Sequence, residues 1–173
     1  MRFVILHGAF GHPGENWFPW LADQLREKGL EVIVPTFLTP ERQSISAWKQ
    51  VFSKVVGSLE ENTVLIGHST GAIFIPSILE NLQQPIRAAY FIGGFWGDLG
   101  SEVFDSLNRT FYETEPDWQK VRVNAHILRA YYGENGPYVS RKPFDLLCNK
   151  LEIEPVRYPK GGHINSEAGF DEF

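Results

Sequence analysis

Ser69 stands between two glycines in Gly67-His68-Ser69-Thr70-Gly71-Ala72, and its surroundings are those that make a serine a nucleophile. An apolar run, Thr63-Val64-Leu65-Ile66, precedes it, and Ile75, Ile78, Leu79 and Leu82 follow at helical spacing. The pattern predicts a strand, a sharp turn and a helix, with Ser69 pushed out at the carboxyl edge of a sheet. Such a turn leaves little room two residues to either side, where Gly67 and Gly71 have no Cβ to clash. The helix aims its N-terminal dipole at the place where an oxyanion would form. A serine between glycines is also an ordinary turn; the strand before it and the helix after it favour the nucleophile.

A hydroxyl is a weak nucleophile at neutral pH unless a base removes its proton. His163, in the glycine-bracketed loop Gly161-Gly162-His163 after the last strand, is the expected base. Of the other histidines, His126 falls inside a strand, His68 packs behind the serine, His7 shapes the first loop and His12 beside Pro13 is solvated. No pair shows metal-ligand spacing with a nearby Cys or carboxylate, so neither a metal nor a cofactor is expected. The loop His7-Gly8-Ala9 is placed to supply one oxyanion donor, the Ala9 N–H, beside the Thr70 N–H that follows the nucleophile. Gly8, Gly11 and Gly14 do not have the spacing of a dinucleotide loop, and no acidic residue ends the second strand. Phe10, Trp17, Phe95, Trp96 and Tyr138 are candidate walls of an acyl pocket, although aromatic residues equally fill cores.

These groups need a scaffold. Phe3-Val4-Ile5-Leu6 is a continuous apolar run, as expected of a strand covered on both faces. Trp17, Trp20, Leu21 and Leu25 recur at helical spacing until Gly29, and residues 31–34 form a second strand closed by Pro35. Ser44 is placed to cap a helix marked by Trp48, Phe52, Val55 and Leu59. The strand before Ser69 is third, residues 88–92 fourth, 125–131 fifth and 153–156 sixth. Residues 93–122 are less regular and read as an excursion with one or two short helices; Pro143 opens another. Strands alternating with helices, without hairpin signals, imply an α/β fold. It would have three layers (α/β/α), with a mostly parallel six-stranded sheet, in a single domain over residues 1–173. The chain stops ten residues after His163, partway into what reads as a short helix from Ser166, and a natural end and a truncated product both fit that pattern.

With 173 residues the chain is long enough for one real core and too short for two ordinary domains. A net charge of −5 without any Lys/Arg cluster argues against nucleic acid or an anionic membrane as partner. There is no signal-peptide pattern and no apolar run of about 18 residues, so a cytoplasmic protein is expected. Cys148, the sole cysteine, lies in Phe144-x-x-Leu147-Cys148-x-x-Leu151 and reads as the buried face of a helix. A monomer or weak dimer is expected.

The pieces His7-Gly8, Trp17-x-x-Trp20-Leu21, Gly67-His68-Ser69-Thr70-Gly71-Ala72, Pro137-Tyr138-Val139 and Gly161-Gly162-His163 span nearly the whole chain. In them the sequence resembles the RBBP9/YdeN family of small serine hydrolases, within the α/β-hydrolase superfamily. The resemblance implies a compact α/β-hydrolase-like domain without a cap, and a Ser-His-Asp triad whose nucleophile comes first in the chain and whose histidine comes last. It implies hydrolysis of small acyl esters or related carboxylic derivatives. Some members are better known as binding partners of other proteins. The alternative is therefore a catalytically degenerate hydrolase fold that binds a protein or ligand without turnover.

One position departs from the family. After the fifth strand the family reads Gly-x-x-Asp-Pro-aromatic-Val, with the Asp as triad acid; here the run is Gly133-Glu134-Asn135-Gly136-Pro137-Tyr138-Val139. Gly136 occupies the acid's place. Loss of that function costs on the order of ten-thousandfold in rate, roughly 5 kcal/mol of barrier. Asp98, in Gly93-Gly94-Phe95-Trp96-Gly97-Asp98, is the preferred substitute, although it also reads as a helix cap. Glu134 is second, Asn135 offers an amide without charge, and a Ser-His pair with no acid stays open.

Overall fold

The apolar runs become six strands: β1 (Arg2–Leu6), β2 (Glu31–Ile33), β3 (Thr63–His68), β4 (Ile86–Ile92), β5 (Ala125–Gly133) and β6 (Val156–Tyr158). The computed structural model describes residues 1–172. Among the described residues the strands make one sheet in the order β2-β1-β3-β4-β5-β6. Every pairing in it is parallel, so the sheet expected to be mostly parallel is wholly so.

The helices are α1 (Phe18–Glu27), α2 (Ile45–Val55), α3 (Thr70–Leu79), α4 (Glu102–Tyr112), α5 (Trp118–Val123) and α6 (Arg141–Leu151). Ser44 caps α2 as expected: its Oγ accepts the Ala47 N–H at 3.2 Å. The excursion after β4 holds two helices, α4 and α5. Pro143 does not open α6, which starts two residues earlier behind Ser140. β6 also differs from the reading at residues 153–156. Glu152 ends α6 in a left-handed conformation and Pro155 has no N–H for a ladder, so pairing begins only at Val156. The short helix expected from Ser166 is a 3-10 turn, Ser166–Ala168.

Two cores flank the sheet. On one face Leu65, Phe91 and Ala130 pack with residues of α2 through α6, including Trp48, Phe74, Phe111, Val121 and Phe144. Trp48 stacks on Phe37 with ring centroids 4.2 Å apart and meets Phe74 and Phe111 edge-on. Cys148 is buried in the same cluster, where desolvation pushes its thiol up to about 12. On the other face Ile5, Val64, Ile66, Ala88 and Ile92 pack against Trp17, Phe18 and Ala22 from α1 and its approach, and against Ile164. The three layers are therefore unequal. Five helices cover one face; α1 and the C-terminal segment cover the other.

This layering decides where a site can form. β1 and β3 are neighbours, yet β1 leads to α1 on one face and β3 leads to α3 on the other. Their loops diverge, and a crevice opens at the carboxyl ends of the two strands. Ser69 follows β3 at that crevice, opposite the loop that follows β1. Among the described residues no helix is long and apolar enough to cross a membrane.

Candidate active site

Ser69 has φ 55° and ψ −119°, a conformation that side-chain-bearing residues rarely adopt. The surroundings enforce it. The Ser69 N–H donates to Ile92 O at 2.9 Å, which keeps the residue in the sheet while the chain turns into α3. A Cβ on Gly67 would lie 2.5 Å from Gly71 O, and a Cβ on Gly71 would run into the Leu6 carbonyl. The expected tight turn is thus a contact of three backbones, with no space for a side chain. Thr70 opens α3, so its N–H has no intrahelical acceptor.

The loop after β1 lies against this turn. His7 is wholly buried; its Nε2 accepts the Phe37 N–H at 3.0 Å, so the proton sits on Nδ1, which donates to Gly8 O at 2.9 Å. Burial lowers its pKa, and the neutral ring shapes the loop. Ala9 meets Thr70, but not as two free donors: the Ala9 N–H donates to Thr70 Oγ1 at 3.1 Å. Thr70 Oγ1 donates in turn to Asn108 Oδ1 at 2.7 Å, and Gln43 Nε2 donates to the same oxygen at 3.1 Å. Thr39 Oγ1 donates to Gln43 Oε1 at 2.6 Å and accepts the Phe10 N–H at 2.7 Å. One network therefore ties the first loop to the start of α3, to α4 and to the segment before α2.

His163 belongs to a loop that travels far. β6 lies three strands from β3, about 14 Å at the usual strand spacing, so the loop after it must cross the ends of β5 and β4. It does so in backbone contact. Cβ atoms built on Gly133 and Gly136 would strike the Gly162 carbonyl, and one built on Gly93 would lie 3.2 Å from His163 Nδ1 and Cε1. Asn135 Oδ1 accepts the Gly162 N–H at 2.8 Å, His68 Nε2 donates to His163 O at 2.9 Å, and Trp17 Nε1 donates to Ile164 O at 2.9 Å. His68, expected to pack behind the serine, packs against Trp17 and Phe18, lines the same cavity as Ser69 and grips the histidine loop. The His68 and His163 rings are 4.7 Å apart and both are buried. Desolvation brings His68 down to about 4. Desolvation, with His68 nearby, holds His163 well below the ordinary 6.5, so the ring is a neutral imidazole at pH 7.

No carboxylate among the described residues is hydrogen-bonded to the His163 ring. Asp98, the preferred acid, accepts from Tyr112 Oη at 2.7 Å. It lies outside the cavity and is not the cap of α4, whose N-cap is Ser101; Asp105 takes the Leu99 and Gly100 N–H groups ahead of the helix. Glu134 is exposed and also outside the cavity; its N–H donates to Tyr158 O. Asn135 serves the Gly162 N–H rather than the imidazole.

Ser69, His163, Gly8, Ala9 and Phe10 line one cavity of about 260 Å³. Its aromatic side runs in edge-to-face contacts from His163 to Tyr138 (5.2 Å), Tyr138 to Phe104 (5.8 Å) and Phe104 to Phe10 (5.8 Å). Phe10 and Tyr138 line this cavity. Trp17, Phe95 and Trp96 do not, because all three are buried in the cores, where large apolar rings gain most. Phe104 and Asn108, on α4, line the cavity without having been singled out in the sequence. Their spacing of four residues on one helix face is the signal that was available. A hydroxyl at a strained turn and a neutral imidazole in one cavity are the parts of nucleophilic acyl transfer.

The sequence model of a family described as serine hydrolase matches residues 3–173. The YdeN protein of Bacillus subtilis is 25% identical over 175 residues, covering 98% of this chain and 88% of the relative. Serine hydrolase RBBP9 of Rattus norvegicus is 22% identical over 153 residues, covering 87% and 79%. The crystal structure of the Bacillus subtilis ydeN product superposes with a TM-score of 0.88 at 23% identity, over 99% of this chain and 92% of that one. Est1E of Butyrivibrio proteoclasticus, solved with ferulic acid bound, superposes with a TM-score of 0.71 at 13% identity, over 95% and 81%.

Proposed function

Because the chain belongs to the serine hydrolase family, and is a hydrolase by that membership, we propose that it cleaves small acyl esters or related carboxylic derivatives with Ser69 as nucleophile and His163 as base. The observation that carries this reading is the shared cavity of a strained Ser69 and a buried, neutral His163. Ser69 Oγ adds to the acyl carbonyl while His163 takes its proton. The bond to the leaving group breaks as His163 returns that proton to it. Water, deprotonated by His163, then attacks the acyl-serine; the carboxylic acid leaves and Ser69 recovers its proton.

The Thr70 N–H, at the positive end of α3, and the Ala9 N–H are the donors for the oxyanion. Ala9 reaches it by exchanging the Thr70 hydroxyl for the developing charge. Phe10, Phe104 and Tyr138 hold the acyl group. A fluorophosphonate probe is expected to label the wild-type protein at Ser69 and to leave Ser69→Ala unlabelled. An unlabelled wild type, beside a serine hydrolase that reacts under the same conditions, would overturn the assignment. The missing carboxylate at His163 supports a second reading, a hydrolase fold that binds a protein or small ligand without turnover. Retention of a purified partner together with ester turnover no faster than buffer would favour it.

A further inference from the structure

Resting on the serine-hydrolase reading, we propose that the orienting work of a triad carboxylate is done here by side chains that grip the backbone of the histidine loop: Asn135 and His68, with Trp17 beyond them. A triad acid does two things: it fixes the imidazole and it stabilises the imidazolium. The first can be done from the backbone side. Asn135 holds the Gly162 N–H, His68 holds the His163 carbonyl and Trp17 holds the Ile164 carbonyl, so three consecutive residues are each fixed by a different part of the fold. The peptides on either side of His163 are then held, which sets the direction of its Cα–Cβ bond, and the His68 and Tyr138 rings flank the imidazole itself.

The same packing depends on Gly136 having no side chain. A Cβ on Gly136 would lie 2.5 Å from Gly162 O and 3.0 Å from Gly162 C. The place of the family's aspartate is therefore filled by backbone of the histidine loop, and the loop could not lie this close if a side chain stood there. Among the described residues, the His68 ring, the Tyr138 ring and the bare Gly93 turn face His163, with Glu15 and Glu167 lining the same cavity. Glu167 is engaged by Tyr138 Oη at 2.8 Å and by Asn165 Nδ2 at 3.3 Å.

The test is steady-state hydrolysis of a p-nitrophenyl ester alongside fluorophosphonate labelling, with the thermal transition of every variant recorded. Asn135→Ala is expected to lower kcat by about ten- to a hundredfold with little change in KM, and Asn135→Asp, which keeps the acceptor oxygen, to restore most of it. His68→Leu should behave like Asn135→Ala, with His68→Gln milder because its amide places a donor at similar reach. Asp98→Asn and Glu134→Gln should keep the wild-type kcat. Gly136→Asp should lose activity rather than gain it. A folded Asn135→Ala at wild-type kcat, a hundredfold loss in Asp98→Asn or Glu134→Gln, or a gain in Gly136→Asp would each overturn the proposal while labelling of the wild type still upheld the hydrolase reading. Failure of the wild type to label would overturn both.

Discussion

The Thr70 hydroxyl accepts the Ala9 N–H at 3.1 Å and donates to Asn108 Oδ1 at 2.7 Å, with no exposure to solvent. One side chain thus joins the residue after Ser69 to the loop that faces it and to α4. Removing it takes away two hydrogen bonds, each contributing about 0.5–1.5 kcal/mol. Thr70→Val, close to Thr in shape, is expected to lower stability by about 1–3 kcal/mol, with Thr70→Ser losing less. Urea denaturation followed by Trp fluorescence checks this, and an unchanged midpoint in Thr70→Val would refute it.

The strand-turn-helix unit around Ser69 shows how elements store the site's strain. The positive φ of Ser69 is maintained by the close approach of β1, β3 and α3 at Gly71, where any Cβ meets the Leu6 carbonyl. Gly57 also has a positive φ, 73°, but nothing stands within 4 Å of a Cβ there. Gly57→Ala is therefore expected to cost about 1 kcal/mol in stability and to leave fluorophosphonate labelling intact. Gly71→Ala is expected to cost about 1–3 kcal/mol through overpacking and to abolish labelling, because the turn at Ser69 must shift. Equal labelling of the two variants would show that the glycine is not what shapes the turn.

Over the whole molecule, three buried histidines link folding to pH. His7, His68 and His163 all titrate below the ordinary 6.5 in the folded state, each chiefly because burial disfavours the cation. The unfolded chain therefore binds more protons than the folded one once the pH falls under about 6.5, and stability declines from there. The contribution is complete above 6.5 and is lost as pH falls through the folded values, about 4 for His68. The melting temperature should fall between about pH 7.5 and about pH 4.5, and less steeply in His68→Gln. A melting temperature that held constant across that range would contradict the burial of these rings as neutral species.

Periodicity and turn chemistry were enough to read the order of strands and helices, the parallel α/β class, the turn at Ser69 and the loop of His163. Each is written in neighbouring residues: an apolar run before Ser69, helical spacing after it, glycines around His163. The absence of an aspartate at Gly136 was legible through the family resemblance. What occupies its place was not, because the Gly162 carbonyl arrives from the loop of a different strand, β6, some 26 residues further along the chain. The aromatic residues divided the same way. Trp17, Phe95 and Trp96 have the composition of a pocket wall and went to the cores, whereas Phe104 joined the cavity because α4 folds over the crevice. Asp98 lost its assigned role when the end of α4 offered it the Tyr112 hydroxyl. Local pattern sets which element a residue joins; only the packing of loops from separate strands sets which side chains meet.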